Sequence, residues 1–297
     1  MPKDALFRAQ PASTVGQMVL DRLAGPRARP FRLLAGVAAA CGVFAASAAQ
    51  AESLRATYAL SIIGVPIGAA DAAASIENGA YKFDIGLRLS GLAAMVTKAK
   101  GAATANGVIA NSSVLPNAYA NTTANSTETR TVRMGLNAGA VRAVEISPPF
   151  LDMEERVPVT AAHKASVLDP VSALVMSVPA GQPLVGQAAC DRTIPVYDGL
   201  VRFNVSLFYK GVRNVQAKGY SGPVSVCSAR YTPISGYKLD SQSTKFMAEN
   251  RDIEVWLAPL EQAHVVAPFY IKVGTKTGTL IIQAVDFHVT QQRAQNN

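Results

Sequence analysis

The chain has 297 residues, of which 49% are hydrophobic and 16% charged, enough apolar material for one large or two ordinary domains. Its formal net charge is +8, but the first 51 positions hold six basic and only two acidic residues, which leaves 22 basic and 18 acidic residues in the rest. Those charges are scattered. The concentrated basic footprint of a nucleic-acid-binding protein is missing, so we expect no nucleic-acid partner.

The first 51 residues have the features of a secretory signal peptide. Three arginines within 27–32 precede an uncharged apolar run at 33–46, whose 14 residues are too few for a transmembrane helix of about 20 and fit a signal core. Residues 49–51 (Ala-Gln-Ala) match the cleavage pattern. We predict cleavage after Ala51 and a periplasmic protein without a transmembrane anchor. The alternatives are an uncleaved anchor and a lipoprotein modified at Cys41.

Alternation of apolar and polar residues dominates the remaining chain and predicts strands. The first two are 54–63 (LRATYALSII) and 81–89 (YKFDIGLRL), with a hairpin turn between them at Asn78-Gly79. The Thr-rich segment 121–131 alternates like an exposed edge strand. Further strands are predicted at 106–110, 131–136, 140–146, 200–209, 212–220, 224–231, 253–257, 271–274 and 279–288.

Two segments carry helix signals. A short helix is predicted at 92–100. The stronger signal is Asp169, a good N-cap, with Pro170 at the first helical position, which predicts a helix over 170–178.

Helices and strands do not alternate along the chain, so the sheet is expected to be antiparallel. The predicted fold is mainly β: a single curved antiparallel sheet or open half β-barrel with one or two short helices. We assign residues 1–51 to the signal peptide, 52–289 to one β-rich periplasmic domain, and 290–297 to a frayed C-terminal tail.

Cleavage would leave two cysteines, Cys190 and Cys227. An exported protein meets an oxidising compartment, where such a pair tends to form a disulfide. Two separate buried thiols are the alternative. The spacing is not that of a redox motif, and widely spaced Cys and His residues argue against a zinc site.

Sequence motifs for catalysis, phosphate binding or dinucleotide binding are missing, and no catalytic, cofactor or metal site is predicted. The one dense acidic cluster is Asp152, Glu154 and Glu155. In a proline-rich segment these carboxylates are interpreted as a solvated loop. The alternative is acid–base chemistry in a hydrolase.

Arg192 lies between Asp191 and Asp198 near the first cysteine, which favours a structural ion pair over contact with a ligand. The three histidines are isolated in the sequence and are interpreted as surface or core residues: His163, His264 and His288.

Several short motifs follow one another in a recognisable order. They are YAL at 58–60, GVPIG at 64–68, GAY at 79–81, LP at 115–116, DPVSAL at 169–174, Cys190 with YDG at 197–199, Cys227, and WLAP at 256–259. In this order and spacing the chain resembles the exported bacterial family named domain of unknown function 3108, over about residues 58–287. The resemblance implies an exported β protein without an agreed activity, so no functional residues are carried over.

These observations give three functional hypotheses. The first is a non-catalytic periplasmic protein that binds a hydrophobic ligand, a lipid or acyl chain, on a concave sheet face partly covered by the 169–178 helix, in envelope maintenance. The second is an interaction protein that docks to an envelope protein through sheet edges such as 121–131. The third is a hydrolase using the acids at 152–155. A large apolar cavity would favour the first hypothesis and a filled core the second.

Overall fold

The computed structural model describes residues 50–91, 94 and 99–293. Most of the predicted signal peptide and most of the predicted helix at 92–100 lie outside these residues. Within them, fourteen strands join in one antiparallel sheet that does not close, which confirms the predicted mainly-β fold.

The described elements have the following bounds. The strands are β1 (Gln50–Ile62), β2 (Val65–Glu77), β3 (Ala80–Leu89), β4 (Lys100–Ala110), β5 (Ser113–Ala124), β6 (Thr129–Asn137), β7 (Ala140–Ser147), β8 (Met176–Ser177), β9 (Arg192–Tyr197), β10 (Arg202–Ala217), β11 (Tyr220–Ser235), β12 (Ile253–Leu260), β13 (Val265–Thr275) and β14 (Gly278–Arg293). The described α-helix is α1 (Gln242–Glu249). Short 3-10 turns lie at Met153–Glu155, Ala162–Lys164, Ser172–Leu174 and Gln187–Ala189.

The sheet is a long meander whose first and last strands meet in its middle. Its order is β7-β6-β5-β4-β3-β2-β1-β14-β13-β12-β11-β10-β9, and β8 pairs separately with β13. The edge strands of the main path are therefore β7 and β9. β14 pairs with β1 as far as Arg293, so residues 290–293, which we assigned to the frayed tail, lie in a strand.

Two-residue turns with positive φ angles join several neighbouring strands. Asn78 and Gly79 have φ angles of 49° and 80°, the conformation that matches the twist of a tight hairpin. This turn joins β2 to β3, so the strand between the two predicted ones was missed. β2 is rich in alanine, has no aromatic residue, and carries its three β-branched residues, Val65, Ile67 and Ile76, only near its two ends.

The predicted edge at 121–131 is wrong. Residues 121–124 lie in β5 and 129–131 in β6, which are both paired on two sides, and 125–128 form the turn between them. Thr-rich alternation marks one solvent-facing side of a strand, and it carries no information about whether a neighbouring strand is present.

The predicted helix at 170–178 is also wrong. Ser172–Leu174 form only a 3-10 turn, and the chain then extends into β8, where Ser177 pairs with Val265 of β13. Pairing with the sheet satisfies backbone groups that a helix would otherwise satisfy internally. The observed helix α1 was missed, although Ser241 is a regular N-cap that accepts a hydrogen bond from the Thr244 N–H at 3.2 Å.

The two faces of the sheet differ in burial. On β1, Leu54, Tyr58 and Leu60 are buried on the inner face, which carries the core, whereas Arg55 and Thr57 lie on the opposite, outer face. Each strand alternates in this way because successive side chains point to opposite faces.

The predicted disulfide is present. Cys190 and Cys227 are joined with a Cα–Cα distance of 5.7 Å, and both are fully buried. The bridge links the segment before β9 to β11 across 37 positions, a loop length for which chain entropy gives a stabilisation of about 4 kcal/mol.

Gly107 tests the packing of the first half of the sheet. It lies at a register shift between β4 and β5, where an added Cβ would overlap the Leu115 carbonyl oxygen and lie 2.8 Å from Pro116 Cα. Gly107→Ala should therefore lower the free energy of unfolding by about 1–3 kcal/mol in urea denaturation. The control is Gly135→Ala, whose Cβ would meet only Ala143 Cβ at 4.0 Å; equal midpoints for the two variants would contradict this packing.

Candidate functional site

The inner face of the sheet is covered by the protein's own chain. We call residues 166–178 the strap. Val167, Val171, Val175 and Val178 of the strap are at most 3% exposed and pack into the two hydrophobic clusters of the core. The face on which we expected a ligand is thus largely filled by side chains.

A buried polar network fastens the strap to the sheet. Asp169 Oδ1 accepts hydrogen bonds from the N–H groups of Val171 and Ser172, both at 2.9 Å, and Oδ2 accepts one from the Ser172 hydroxyl at 2.5 Å. The Ser172 hydroxyl lies 2.7 Å from the hydroxyl of Tyr81 on β3. Burial raises the pKa of Asp169 and that of Tyr81. Because Asp169 and Ser172 are completely buried, this network holds structure and offers no accessible nucleophile.

The N-terminal end of the strap bridges the two edge regions of the sheet. The Val167 N–H donates to the Gly139 carbonyl in the β6–β7 turn at 2.8 Å, and Leu168 exchanges hydrogen bonds with Pro195 and Tyr197 of β9. A smaller pocket of 370 Å³ remains beside Phe150 and the Glu128–Arg130 ion pair.

A larger cavity lies on the outer face. Its volume is 910 Å³, and it crosses β1 to β5 with one wall formed by residues of β14 and the β10–β11 turn. Two cross-strand rows provide its floor. They are Thr57-Asp71-Gly86-Ala102-Thr122 and Arg55-Ala73-Asp84-Thr104-Ala120. Apart from Arg55, each row has one carboxylate and otherwise small side chains, so the floor lies close to the backbone.

Two neighbouring pockets extend this cavity. A pocket of 400 Å³ shares Arg55, Ala73 and Asp84 with it. A pocket of 280 Å³ shares Gly86, Ala102 and Thr122 and continues past Arg88 and Lys100. We call the three together the outer trough. Five strands separated by four spacings give it a width of about 19 Å across the sheet.

Ion pairs line the walls of the outer trough. Asp71 accepts a hydrogen bond from the Thr57 hydroxyl at 3.1 Å and pairs with Arg88 at 2.8 Å. Asp84 pairs with Lys82 at 3.2 Å.

The third carboxylate, Asp286 on β14, binds Lys218 at 2.9 Å and the His288 Nε2 atom at 2.8 Å. Gly219 packs on the His288 ring so closely that an added Cβ would overlap it. His288, which appeared isolated in the sequence, thus lies in the wall of the trough.

A family model described as "Protein of unknown function (DUF3108)" matches residues 55–284. The chain belongs to this family. The matched region contains β2 to β5 completely and β1 from residue 55 onward, so it includes every residue of the two floor rows.

The structure search adds one distant similarity. The chain is similar to a protein from Brucella abortus described as a beta-barrel-like protein of domain of unknown function DUF1849, with 10% identity, a TM-score of 0.47, and coverage of 80% of this chain and 98% of that one. A search of curated proteins finds no match to this sequence.

In the acidic cluster at 152–155 of this DUF3108 chain, Asp152 and Glu155 form ion pairs. Asp152 pairs with Arg156 at 3.0 Å and with Lys238 at 2.8 Å, and Lys238 also pairs with Glu155 at 2.7 Å. Hydrogen bonds from Arg156 and Lys238 lower the pKa of Asp152. A general acid at neutral pH needs the opposite shift, so this geometry favours a clamp between two loops. Glu154 lies in the same 3-10 turn.

The predicted ion pair of Arg192 is wrong. Its guanidinium donates to the backbone carbonyls of Ser177, Ala188 and Cys190 at 2.6, 2.5 and 3.2 Å. Asp191 instead accepts from the Tyr209 N–H, and Asp198 from the N–H groups of Leu200 and Val201. These distances are 2.8 Å for Asp191 and 2.8 and 2.6 Å for Asp198. Although Asp191, Arg192 and Asp198 are close in the sequence, each forms hydrogen bonds with backbone groups of a different strand or turn, so they do not pair with one another.

The two other histidines make local contacts. His163 Nδ1 accepts a hydrogen bond from the Thr160 N–H at 3.2 Å, and His264 Nε2 lies 3.2 Å from the Pro179 carbonyl oxygen. Across the described residues, no three His, Cys, Asp or Glu side chains are grouped as a metal site would need. The described α-helix and 3-10 turns are all too short to cross a bilayer.

Sequence reasoning missed the outer trough. Its signal is the recurrence of Ala, Gly and Thr at alternate positions of β2, β4 and β5. Those residues become a floor only when the register places them side by side.

The strap network gives a stability prediction. Asp169→Ala leaves two backbone N–H groups and the Ser172 hydroxyl without their acceptor and should cost about 3 kcal/mol or more. Tyr81→Phe removes one hydroxyl while Ser172 keeps its bond to Asp169, so its cost should be about 1 kcal/mol. Urea denaturation of both variants measures the difference; a larger loss in Tyr81→Phe would contradict the role given to Asp169.

Proposed function

We propose that this protein is a non-catalytic periplasmic protein that binds a hydrophobic chain, such as the acyl chain of a lipid, in the outer trough. One observation carries the proposal: the trough is a continuous groove on a solvent-facing surface, floored by small side chains. The strap fills the inner face, so the outer trough replaces the concave face as the candidate ligand site.

The chemistry of the floor supports an apolar ligand. Alanine side chains, glycine Cα atoms and threonine methyl groups leave room for a chain of methylenes to lie against the sheet. Each methylene removed from water contributes about 0.8 kcal/mol. Because the trough is open along one side, a ligand would be only partly desolvated, and we expect modest affinity and ready release.

The periplasmic location rests on the signal-like segment 1–51 and on the disulfide. A buried bridge such as Cys190–Cys227 is typical of proteins that mature in an oxidising compartment.

The filled inner face is what we expected of a protein that docks through sheet edges, but the edges themselves give this function weaker support. The β9 edge contains Pro195 and is hydrogen-bonded by Leu168 of the strap. β7 has a register shift beside Arg142. Proline, charge and bulges are features that keep edge strands from pairing with other chains.

Filling the trough is the direct test. Gly86 lies on the floor, its φ angle is not in the left-handed region, and an added Cβ would meet nothing within 4 Å. Gly86→Leu should therefore fold normally and weaken binding of a fluorescent fatty acid by about tenfold or more, because the new side chain occupies the ligand's space. The measurement is a fluorescence titration, with native mass spectrometry for co-purified lipid.

The matched control is Gly135→Leu, on the outer face of β6 and outside the trough, where only Ala143 Cβ lies at 4.0 Å from the added Cβ. It should bind as the parent protein does. Equal binding by Gly86→Leu and Gly135→Leu, or no fatty-acid binding by the parent, would overturn the proposal.

Export can be tested separately. When the full-length chain is expressed in a Gram-negative host, the protein from the periplasmic fraction should begin at Glu52, as intact-mass and N-terminal peptide analysis would show. Retention of residues 1–51 would contradict cleavage after Ala51.

A further inference from the structure

Arg55 is the guanidinium at the junction of the trough's two larger pockets. It lies on the outer face of β1, paired across the strands with Ala73 of β2 and His288 of β14. It lines both the 910 Å³ and the 400 Å³ pockets. Among the described residues it has neither an ion pair nor a side-chain hydrogen bond.

The carboxylates around Arg55 are already neutralised. Asp71, Asp84 and Asp286 each bind another cation, namely Arg88, Lys82 and Lys218, and Asp286 also binds His288. Glu77 lines the far end of the 400 Å³ pocket, four positions along β2 from the residue opposite Arg55, or about 13 Å away. Glu52, which also lines this pocket, is buried on the inner side of β1, where the Ala263 N–H donates to its carboxylate at 2.8 Å. An anion at Arg55 would therefore meet a positive group without a competing free carboxylate on the same face.

The opposite end of the trough is also positive. Lys100 on β4 faces Arg88 on β3 directly across the strands, an arrangement of like charges that costs stability. Arg88 is paired with Asp71, whereas Lys100 has no recorded ion pair among the described residues. The trough as a whole therefore suits an anionic ligand better than a cationic one.

We propose that Arg55 recognises an acidic head group, so that the ligand of the outer trough is an anionic amphiphile. The head group, a carboxylate or a phosphate, would sit at Arg55, and the chain would run over Ala73, Gly86 and Ala102. A guanidinium suits this role because its fork of N–H groups binds two oxygens of a carboxylate or phosphate at once. This inference rests on the proposed function, and it adds the charge of the ligand and the position of its head.

The experiment compares probes that differ only in the head group. Dodecanoic acid, dodecyl phosphate and dodecanol are titrated against the parent protein and Arg55→Gln by displacement of a bound fluorescent fatty acid. Arg55→Gln should weaken at least one of the two anionic probes by about fivefold and leave dodecanol within about twofold. Arg55→Lys should recover part of the loss, and added salt should weaken only the anionic probes. The anion that responds identifies carboxylate or phosphate as the head group.

Arg142→Gln provides the control, because Arg142 is an exposed arginine on β7, outside the trough. It should change none of the three affinities. Since Arg55 has no recorded partner, Arg55→Gln should also keep the parent's unfolding midpoint.

The outcomes separate this inference from the proposed function. In one outcome, Gly86→Leu abolishes binding while Arg55→Gln changes the affinities for dodecanoic acid, dodecyl phosphate and dodecanol equally. The trough would then bind a chain, but Arg55 would not recognise the charge of its head group. If Lys100→Gln, and not Arg55→Gln, weakens the anionic probes, the head lies at the other end and the assignment to Arg55 is wrong. Displacement of the fluorescent probe by an acidic peptide at lower concentrations than by dodecanoic acid would overturn the lipid assignment in favour of a protein partner.

Discussion

The rest of the structure depends on one constraint: the strap is held against the inner face of the sheet. An open antiparallel sheet with one apolar face must cover that face, and here the chain does so with its own residues. The Asp169–Ser172–Tyr81 network holds the strap where it belongs, and the valines of the strap complete the core. Since a buried polar network is favourable only when its members are satisfied, the strap has one position rather than many. The inner face is thereby largely filled by the protein's own side chains.

The outer face is unusual because it combines a floor of small side chains, close to the backbone, with several charged side chains. Three carboxylates lie along the floor and walls, and each is matched by a cation within hydrogen-bonding range. Exposed ion pairs of this kind contribute little to stability. Their more evident effect is to fix the long side chains of Arg88 and Lys82 beside the floor, against Asp71 and Asp84.

Local patterns in the sequence predict most of the strands but little of the outer trough. Alternation located β1, β3 and the hairpins of the second half because each strand has one buried face. β2 escaped notice because alanine gives little contrast between its two faces. The DPVSAL segment has the signals of a helix start, yet pairing of its continuation with β13 overrides them. The trough depends on register across five strands, and Asp152 is matched by Lys238 from a distant part of the chain. Neither the register across the strands nor the Asp152–Lys238 ion pair can be inferred from a window of ten residues.

The pairing of β1 with β14 in the middle of the sheet affects how the protein folds. Gln50 lies opposite Arg293, so the central ladder joins the first described strand to the last. Contacts between such distant positions slow folding, because the intervening chain must be ordered before they form. A polypeptide threaded across a membrane from its amino end would thus be unable to complete its sheet until β14 had emerged on the far side. For an exported chain, this order of strands would delay completion of the sheet until translocation is nearly over.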